Sequence, residues 1–204
     1  MTAAMIDVDE LCREVAKHRG EAIVIACQTA RRAWHRASSR PELDVHFRGV
    51  MGKGSSLALG LALAVPDRQV IVLDGDGSLL MNLGSLASIA DAAPGNLCLI
   101  ALENGVYAGT GGQKVPGAGT VSFAGFARAA GFRAVASFDR PEELRQAIEP
   151  LLRATGPAFA TVKTAPVPGG EEVQDELPSM QRCLVALRGY LSRADRPLGD
   201  DRKL

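Results

Sequence analysis

Short apolar runs alternate with longer segments of helical periodicity along most of this chain. Residues 70–73, Val-Ile-Val-Leu, are apolar at every position, which is typical of a central parallel strand covered by helices on both faces. The alternation predicts an α/β fold with an open, doubly wound, mainly parallel sheet and helices on both faces. The predicted strands are Ala22–Cys27, Leu43–Phe47, Gln69–Leu73, Leu97–Leu102, Arg133–Ala136 and Ala158–Val162. The predicted helices are Met5–His18, Thr29–Ala37, Ser55–Ala64, Leu79–Asp91, Ser122–Ala130, Pro141–Ala154 and Met180–Ser192.

The length of 204 residues is enough for one sizeable core, and a second full domain is not expected. We expect a single domain over residues 1–192. Residues 193–204 are expected to form a charged, flexible tail.

The charge balance argues against two classes of partner. Lys+Arg and Asp+Glu both number 23, so the basic excess expected of a nucleic-acid or anionic-membrane protein is missing. The longest apolar stretch, Leu57–Val65, is far below the roughly 18 residues of a membrane span. The first residues do not resemble a signal peptide, and we therefore expect a cytoplasmic protein.

The four cysteines are widely spaced, at Cys12, Cys27, Cys98 and Cys183, with no C-x-x-C pair. This spacing favours buried free thiols in a cytoplasmic protein over disulfides, zinc or an iron–sulfur cluster.

Two glycine clusters follow predicted strands, at the edge where open parallel sheets bind ligands. The first covers residues 48–56, and the second reads Asp74-Gly75-Asp76-Gly77-Ser78. Neither is a Walker A loop, because Gly54 follows Gly52-Lys53 where Ser or Thr is required. Neither is a dinucleotide G-x-G-x-x-G, because Leu57 and Leu80 occupy the third glycine positions.

The second cluster places Asp76 between two glycines at the end of a strand and the start of a helix, a setting suited to a diphosphate. Two anions there need a bridging cation, and Mg²⁺ takes hard oxygen ligands, some of them from phosphate. Asn104 lies 28 residues further on, just past the next strand, and would supply a neutral ligand. The alternative is that Asp76 only caps the helix and Asn104 only forms a turn before Gly105.

Several segments together resemble the thiamine diphosphate motif of thiamine-dependent enzymes. More closely, they resemble the pyrophosphate-binding domain of the sulfopyruvate and phosphonopyruvate decarboxylases, over roughly residues 20 to 165. The segments are Val50-Met51-Gly52-Lys53-Gly54-Ser55, Gly75-Asp76-Gly77-Ser78, Met81-Asn82-Leu83-Gly84-Ser85-Leu86-Ala87, Glu103-Asn104-Gly105-Val106-Tyr107 and Thr110-Gly111-Gly112-Gln113.

The resemblance implies a magnesium site made by Asp76, the Asn104 side chain and the Val106 carbonyl. It implies that Gly77 and Ser78 contact the diphosphate of the cofactor. The Gly49 carbonyl would accept a hydrogen bond from the 4′-amino group, and Met51 would be the apolar wedge that bends the cofactor. The full predicted cofactor-binding set is Gly49, Met51, Gly75, Asp76, Gly77, Ser78, Asn104, Val106 and Tyr107.

Other residues depart from the family pattern or have no assigned role. Glu103 stands where Asn or Asp is common, and Lys53 replaces a residue that is usually small. His46 and Arg48 are interpreted as structural groups rather than catalysts. Lys53 and Lys114 are candidates for an anionic part of the substrate, although a surface role is the simpler interpretation of each.

The resemblance also implies that this chain forms only half of the cofactor site. The activating glutamate belongs to a separate pyrimidine-binding domain, and the first 45 residues are too few to form one. We therefore expect a pyrimidine-domain partner chain in a heteromer, α2β2, unless the chain is incomplete. The implied function is that of a subunit of a thiamine diphosphate- and Mg²⁺-dependent decarboxylase acting on a small 2-oxo acid. The alternatives are an acetolactate synthase-like carboligase subunit and a non-catalytic thiamine diphosphate-binding protein.

Overall fold

A six-stranded parallel sheet forms the centre of the computed structural model, which describes residues 5–166 and 177–194. The strands are β1 Ile23–Cys27, β2 Asp44–Phe47, β3 Val70–Gly75, β4 Leu97–Glu103, β5 Val106–Tyr107, β6 Gln113–Lys114, β7 Ala134–Phe138 and β8 Ala158–Lys163. The strand order is β2-β1-β3-β4-β8-β7, and a separate antiparallel pair joins β5 to β6. The helices are α1 Val8–His18, α2 Ala30–Ala37, α3 Gly54–Ala64, α4 Asp76–Leu80, α5 Ser85–Ala92, α6 Phe123–Ala130, α7 Pro141–Leu152 and α8 Met180–Ala194, with short 3-10 turns at Pro41–Leu43 and Ala108–Thr110.

Both faces of the sheet are covered by apolar side chains. Helices α1, α2 and α7 pack on one face, around Trp34 and Leu144. Helices α3, α5, α6 and α8 pack on the other, around Phe159 and Ile89. Every residue of β1 is buried, and so are the first five of β3. Burial on both faces explains why these strands are continuous apolar runs, and the predicted doubly wound parallel sheet is confirmed.

All six predicted strands of the main sheet are present, with ends shifted by one or two residues. The predicted helix Leu79–Asp91 is wrong as a single element, because α4 ends at Leu80 and α5 begins at Ser85. Asn82 and Gly84 lie in the intervening turn, and both are poor residues for a helix interior. The short pair β5–β6 was not predicted.

The C-terminal helix α8 packs against β2 and the 3-10 turn before it. Tyr190 on α8 donates a hydrogen bond from its hydroxyl to Glu21 Oε2 at 2.9 Å and accepts one from Arg40 Nη2 at 3.0 Å. Arg40 and Glu21 also form an ion pair. These contacts fix α8 at the edge of the sheet.

Three further predictions concern the whole chain. The predicted free, buried thiols are confirmed at all four cysteines. No helix in the described ranges is long and apolar enough to cross a membrane. Residues 193 and 194 belong to α8, and the rest of the predicted tail lies outside the described residues.

Candidate functional site

The ends of the neighbouring strands β3 and β4 are joined by Asp76. Its Oδ1 accepts a hydrogen bond from the Gly77 amide at 2.7 Å, and its Oδ2 accepts one from the Gly105 amide at 2.9 Å. Asp76 is only 4% exposed, and burial raises the pKa of its carboxyl group, while these two amides oppose the rise. The parallel register of β3 and β4 runs as far as Gly75 opposite Leu102, so the loops that follow both strands start at one edge.

Asn104 is half-buried in the loop after β4. Its Oδ1 accepts a hydrogen bond from the Val106 amide at 3.0 Å, which is the local turn that the alternative interpretation of Asn104 predicted. Val106 begins β5 and pairs with Lys114 of β6. Asp76 and the loop that carries Asn104 thus lie at one strand edge, as their spacing predicted. Val106, which only the resemblance implied, follows Asn104 in the same loop.

The oxygen atoms at this edge suit a hard cation. Each carboxylate oxygen of Asp76 and the amide oxygen of Asn104 accepts one main-chain hydrogen bond, which leaves each a further lone pair. In the described ranges no three His, Cys, Asp or Glu side chains cluster as metal ligands. A cation here would therefore depend on one carboxylate, neutral oxygens and oxygens of the bound molecule, a donor set that fits Mg²⁺.

The two glycines beside Asp76 differ in their surroundings. A Cβ atom at Gly75 would meet nothing within 4 Å. A Cβ atom at Gly77 would lie 2.3 Å from Cε1 of Tyr107, so the Tyr107 ring packs directly on the main chain there. Gly75 therefore faces open space at the site, whereas Gly77 is required by packing.

The loop after β2 is held by Ser78, from the second glycine cluster, and by Asn82, from the turn between α4 and α5. The Gly52 amide donates to Ser78 Oγ at 3.0 Å, and Asn82 Nδ2 donates to the Gly52 carbonyl at 2.8 Å. Gly49 and Gly52 have φ of +82° and +75°, in the left-handed region that favours glycine. The half-buried Met51 therefore lies in a loop whose main chain is held at the next residue, Gly52, through both its amide and its carbonyl group.

The role of Asn82 was missed by sequence reasoning, although the residue lies in one of the matched segments. Its side chain also donates to Ser56 Oγ at 3.2 Å. The break between α4 and α5 places this amide where it reaches the loop.

A second carboxylate, Asp74, lies fully buried beneath the site. Burial raises its pKa to about 6, while hydrogen bonds from Ser78 and the Gly75 amide oppose the rise. A Cβ atom at Gly54 would lie 2.6 Å from Cys27 Sγ and 3.1 Å from Asp74 Oδ2. Close packing against these two side chains explains the glycine at the start of α3.

The residues without an assigned role differ in exposure. Glu103 is half-buried, and burial, followed by the charge of Asp76, raises its pKa. Lys53 and Lys114 are exposed. Gln113 Nε2 donates to the Thr110 carbonyl at 2.7 Å, and Thr110 Oγ1 donates to Gln113 Oε1 at 2.9 Å, so this matched segment closes on itself.

Residues 24–162 match the family described as thiamine pyrophosphate enzyme, C-terminal TPP binding domain. A phosphonopyruvate decarboxylase from Streptomyces viridochromogenes is 42% identical over 125 residues, which cover 60% of this chain and 31% of that protein. The sulfopyruvate decarboxylase subunit beta from Methanothermobacter thermautotrophicus is 43% identical over 121 residues, covering 59% of this chain and 62% of that subunit.

Among solved structures, a thiamine diphosphate-dependent 4-hydroxybenzoylformate decarboxylase from Rhodococcus jostii RHA1 superposes with a TM-score of 0.65 at 25% identity. The superposition covers 82% of this chain and 34% of that one. The chain therefore spans about a third of the length of the phosphonopyruvate and 4-hydroxybenzoylformate decarboxylases and 62% of the sulfopyruvate decarboxylase subunit beta.

Proposed function

Because this chain belongs to the thiamine pyrophosphate enzymes, as a C-terminal TPP-binding domain, we propose that it is a subunit of a Mg²⁺-dependent 2-oxo acid decarboxylase. The observation that carries the proposal is the Asp76 carboxylate, which spans from β3 to the loop after β4 beside Asn104. The names of relatives at 42 and 43% identity support decarboxylation as the reaction.

The diphosphate end of the cofactor would be held by residues at the edge of β3 and β4. Asp76, the Asn104 side chain and the Val106 carbonyl would ligate Mg²⁺, because they offer the hard oxygens that this ion prefers. Gly75 leaves open space there, and Gly77 and Ser78 would contact the diphosphate. Tyr107 would keep this main chain in place through its packing on Gly77.

The other end of the cofactor would be positioned by the loop after β2. The Gly49 carbonyl would accept a hydrogen bond from the 4′-amino group, and Met51 would press the two rings into their bent arrangement. Ser78 and Asn82 form hydrogen bonds with Gly52. These bonds would link the residues that contact the diphosphate to the loop that contacts the rings. Thiamine diphosphate supplies a thiazolium ring that takes up the electron pair released when a 2-oxo acid loses carbon dioxide.

A partner chain would complete the site. We propose a heteromer, α2β2, in which a pyrimidine-binding subunit supplies the activating glutamate. The proposal is supported by the relative named subunit beta, most of whose length this chain matches. Cytoplasmic location stays a prediction.

The substrate would be a small 2-oxo acid that carries a second acid group. Sulfopyruvate and phosphonopyruvate, named in the relatives, each add a sulfonate or a phosphonate to the 2-oxo acid carboxylate.

The test compares the chain alone with the complex that it forms with a co-expressed pyrimidine-binding subunit. Calorimetry should detect Mg²⁺-dependent binding of thiamine diphosphate to the complex, and only the complex should release carbon dioxide from 2-oxo acids. Full activity of the chain alone would refute the proposal that a partner subunit completes the site. Cofactor binding without turnover of any 2-oxo acid would indicate a non-catalytic protein, and condensation products in place of aldehydes would indicate a carboligase.

A further inference from the structure

Helix α3 is apolar on every side. It reads Gly-Ser-Ser-Leu-Ala-Leu-Gly-Leu-Ala-Leu-Ala over residues 54–64, without one charged side chain. Ser55, Ala58 and Ala62 are buried on its inner side, where α3 packs against β1, β3 and β4. On the outer side Leu63 is 56% exposed. A helix that is hydrophobic all round is normally buried all round, so we expect the outer side of α3 to be covered.

The outer face of α3, which we define as Ser56, Gly60, Leu63 and Ala64, leaves room for a close neighbour. All four residues are exposed. A Cβ atom at Gly60 would meet no side chain or neighbouring segment of the described chain within 4 Å, so packing among these residues does not require a glycine. Glycine inside a helix is less favourable than alanine. With the small residues Ser56 and Ala64 four positions before and after it, Gly60 forms a surface to which another helix can come close.

A groove of about 310 Å³ lies beside this face, between α3 and α5. Its walls include Ser56 and Leu59 on the side of α3 and Gly84, Ser88 and Ile89 on the other side. None of the lining residues that the structure describes is charged. The groove therefore suits an apolar side chain better than an ion.

Opposite charges stand at the two ends of α3. Lys53 directly precedes the helix, Asp67 lies in the turn that follows it, and both are exposed. Lys53 is seven residues before Gly60, and Asp67 is seven residues after it. When two α3 helices cross at Gly60 in antiparallel directions, Lys53 of each copy therefore faces Asp67 of the other. The lysine also faces the C-terminal end of the other helix, whose dipole favours a cation.

This charge arrangement selects a second copy of the chain as the occupant of the outer face. An uncharged face meets its own copy without repulsion, and a two-fold axis pairs each end of α3 with the opposite end of the other helix. The same axis brings Leu63 of one copy, three residues after Gly60, to the level of Ser56 and Leu59 of the other copy. Leu63 thereby reaches the groove between α3 and α5.

We propose that two copies of this chain dock through the outer faces of α3, antiparallel about a two-fold axis at Gly60, with Leu63 of each copy in the groove of the other. The inference does not rest on the proposed reaction or on cofactor binding. It goes beyond the proposed heteromer, because it assigns the contact between the two copies of this chain that an α2β2 assembly contains. Asn82 lines the groove and also donates to the Gly52 carbonyl, so the contact adjoins the loop after β2.

The first test measures the oligomeric state by sedimentation equilibrium, on the chain alone and on its complex with the pyrimidine-binding subunit. The unmodified chain should form a dimer. Leu63→Arg should raise the dissociation constant of that dimer about a hundredfold or more, because it places two charges in an uncharged interface. Gly60→Leu should raise it about tenfold or more, because the larger side chain keeps the helices apart. Val185→Arg, at a valine on α8 that is 68% exposed, is the control and should not change it.

Circular dichroism checks that each variant is folded. A chain that is monomeric alone and occurs once in the complex would overturn the proposal, and so would a dimer that neither Leu63→Arg nor Gly60→Leu weakens. A Leu63→Arg variant that keeps its dimer but no longer binds the pyrimidine-binding subunit would also overturn it, and would assign the outer face of α3 to that subunit.

The second test reverses the charges at the two ends of α3. Lys53→Glu and Asp67→Lys should each raise the dissociation constant about tenfold, because each turns two ion pairs into two repulsive pairs. Added salt should reduce both effects. The double variant Lys53→Glu/Asp67→Lys should dimerise as the unmodified chain does, because both pairs form again with their signs exchanged. No recovery in the double variant would overturn the antiparallel arrangement.

Discussion

The Asp76 carboxylate accepts a hydrogen bond from the Gly105 amide at 2.9 Å, and this contact joins the loops that follow two adjacent strands. A carboxylate that is 4% exposed and bonded on both oxygens is held in one orientation. Because the orientation is set by main-chain donors of the same chain, the acceptor positions that remain would be prearranged for the proposed cation.

Asp76→Asn should abolish Mg²⁺-dependent binding of thiamine diphosphate to the complex, with a loss of affinity of about a hundredfold or more. The amide keeps the size of the side chain and one acceptor oxygen, so the chain should still fold, but the charge that holds the metal is removed. Calorimetry with and without Mg²⁺ measures the effect, and circular dichroism checks the fold.

Asp91→Asn is the matched control, because Asp91 is an exposed carboxylate on α5. It should bind the cofactor as the unmodified protein does. Equal cofactor affinity in Asp76→Asn and Asp91→Asn would refute the assignment of Asp76 to the metal.

Alanine at the two glycines beside Asp76 should have different effects. In Gly77→Ala the new Cβ overlaps the Tyr107 ring, and we expect the free energy of unfolding to fall by about 1–3 kcal/mol. Gly75→Ala meets no atom and has an ordinary φ of −83°, so stability should change by no more than about 0.5 kcal/mol. Urea unfolding of the isolated chain measures both values.

Cofactor binding is the second property in which we expect an effect of alanine at Gly75. Gly75→Ala should weaken binding of thiamine diphosphate, because its Cβ occupies space at the diphosphate end. A variant that is both stable and unaffected in cofactor affinity would show that the diphosphate does not lie against Gly75.

Asn82→Ala should loosen the loop that carries Met51. Loss of the 2.8 Å hydrogen bond to the Gly52 carbonyl should cost about 1 kcal/mol of stability and speed hydrogen exchange at residues 51–53. Ser56→Ala is the control, since it removes only the longer contact of the same amide, at 3.2 Å. Slow exchange in Asn82→Ala, equal to that in Ser56→Ala, would show that the loop is held by other contacts.

The sheet was predictable because it depends on a local pattern. Strands such as β1 and β3, buried on both faces, must be apolar at every position, and this is visible in the sequence. The contact between Asp76 and the loop around Asn104 was also predictable, because adjacent parallel strands end at the same edge of the sheet.

The parts that sequence reasoning missed depend on contacts between distant segments. The break between α4 and α5 lets Asn82 reach Gly52, 30 residues earlier in the chain, and no local pattern reports that bond. The groove between α3 and α5 likewise combines segments that are about 30 positions apart.

The attachment of α8 should depend on pH through Glu21. Hydrogen bonds from Arg40 and Tyr190 lower the pKa of Glu21 to about 2, from 4.5 without these partners. A lowered folded-state pKa means that the carboxylate stabilises the fold above pH 4.5 and that this contribution is lost as the pH falls toward 2. Glu21 is exposed, so the effect should be small and should decrease with added salt.

Glu21→Gln should therefore have a lower urea midpoint than the unmodified chain at pH 7, and the gap should close as the pH falls toward 2. The glutamine cannot titrate, whereas the native glutamate becomes protonated and neutral there. Glu142→Gln, at an exposed carboxylate that is 3.8 Å from Arg145, should show a smaller gap at pH 7. A gap for Glu21→Gln that is the same at pH 7 and near pH 2 would mean that the Glu21 carboxylate holds α8 by its shape and not by its charge.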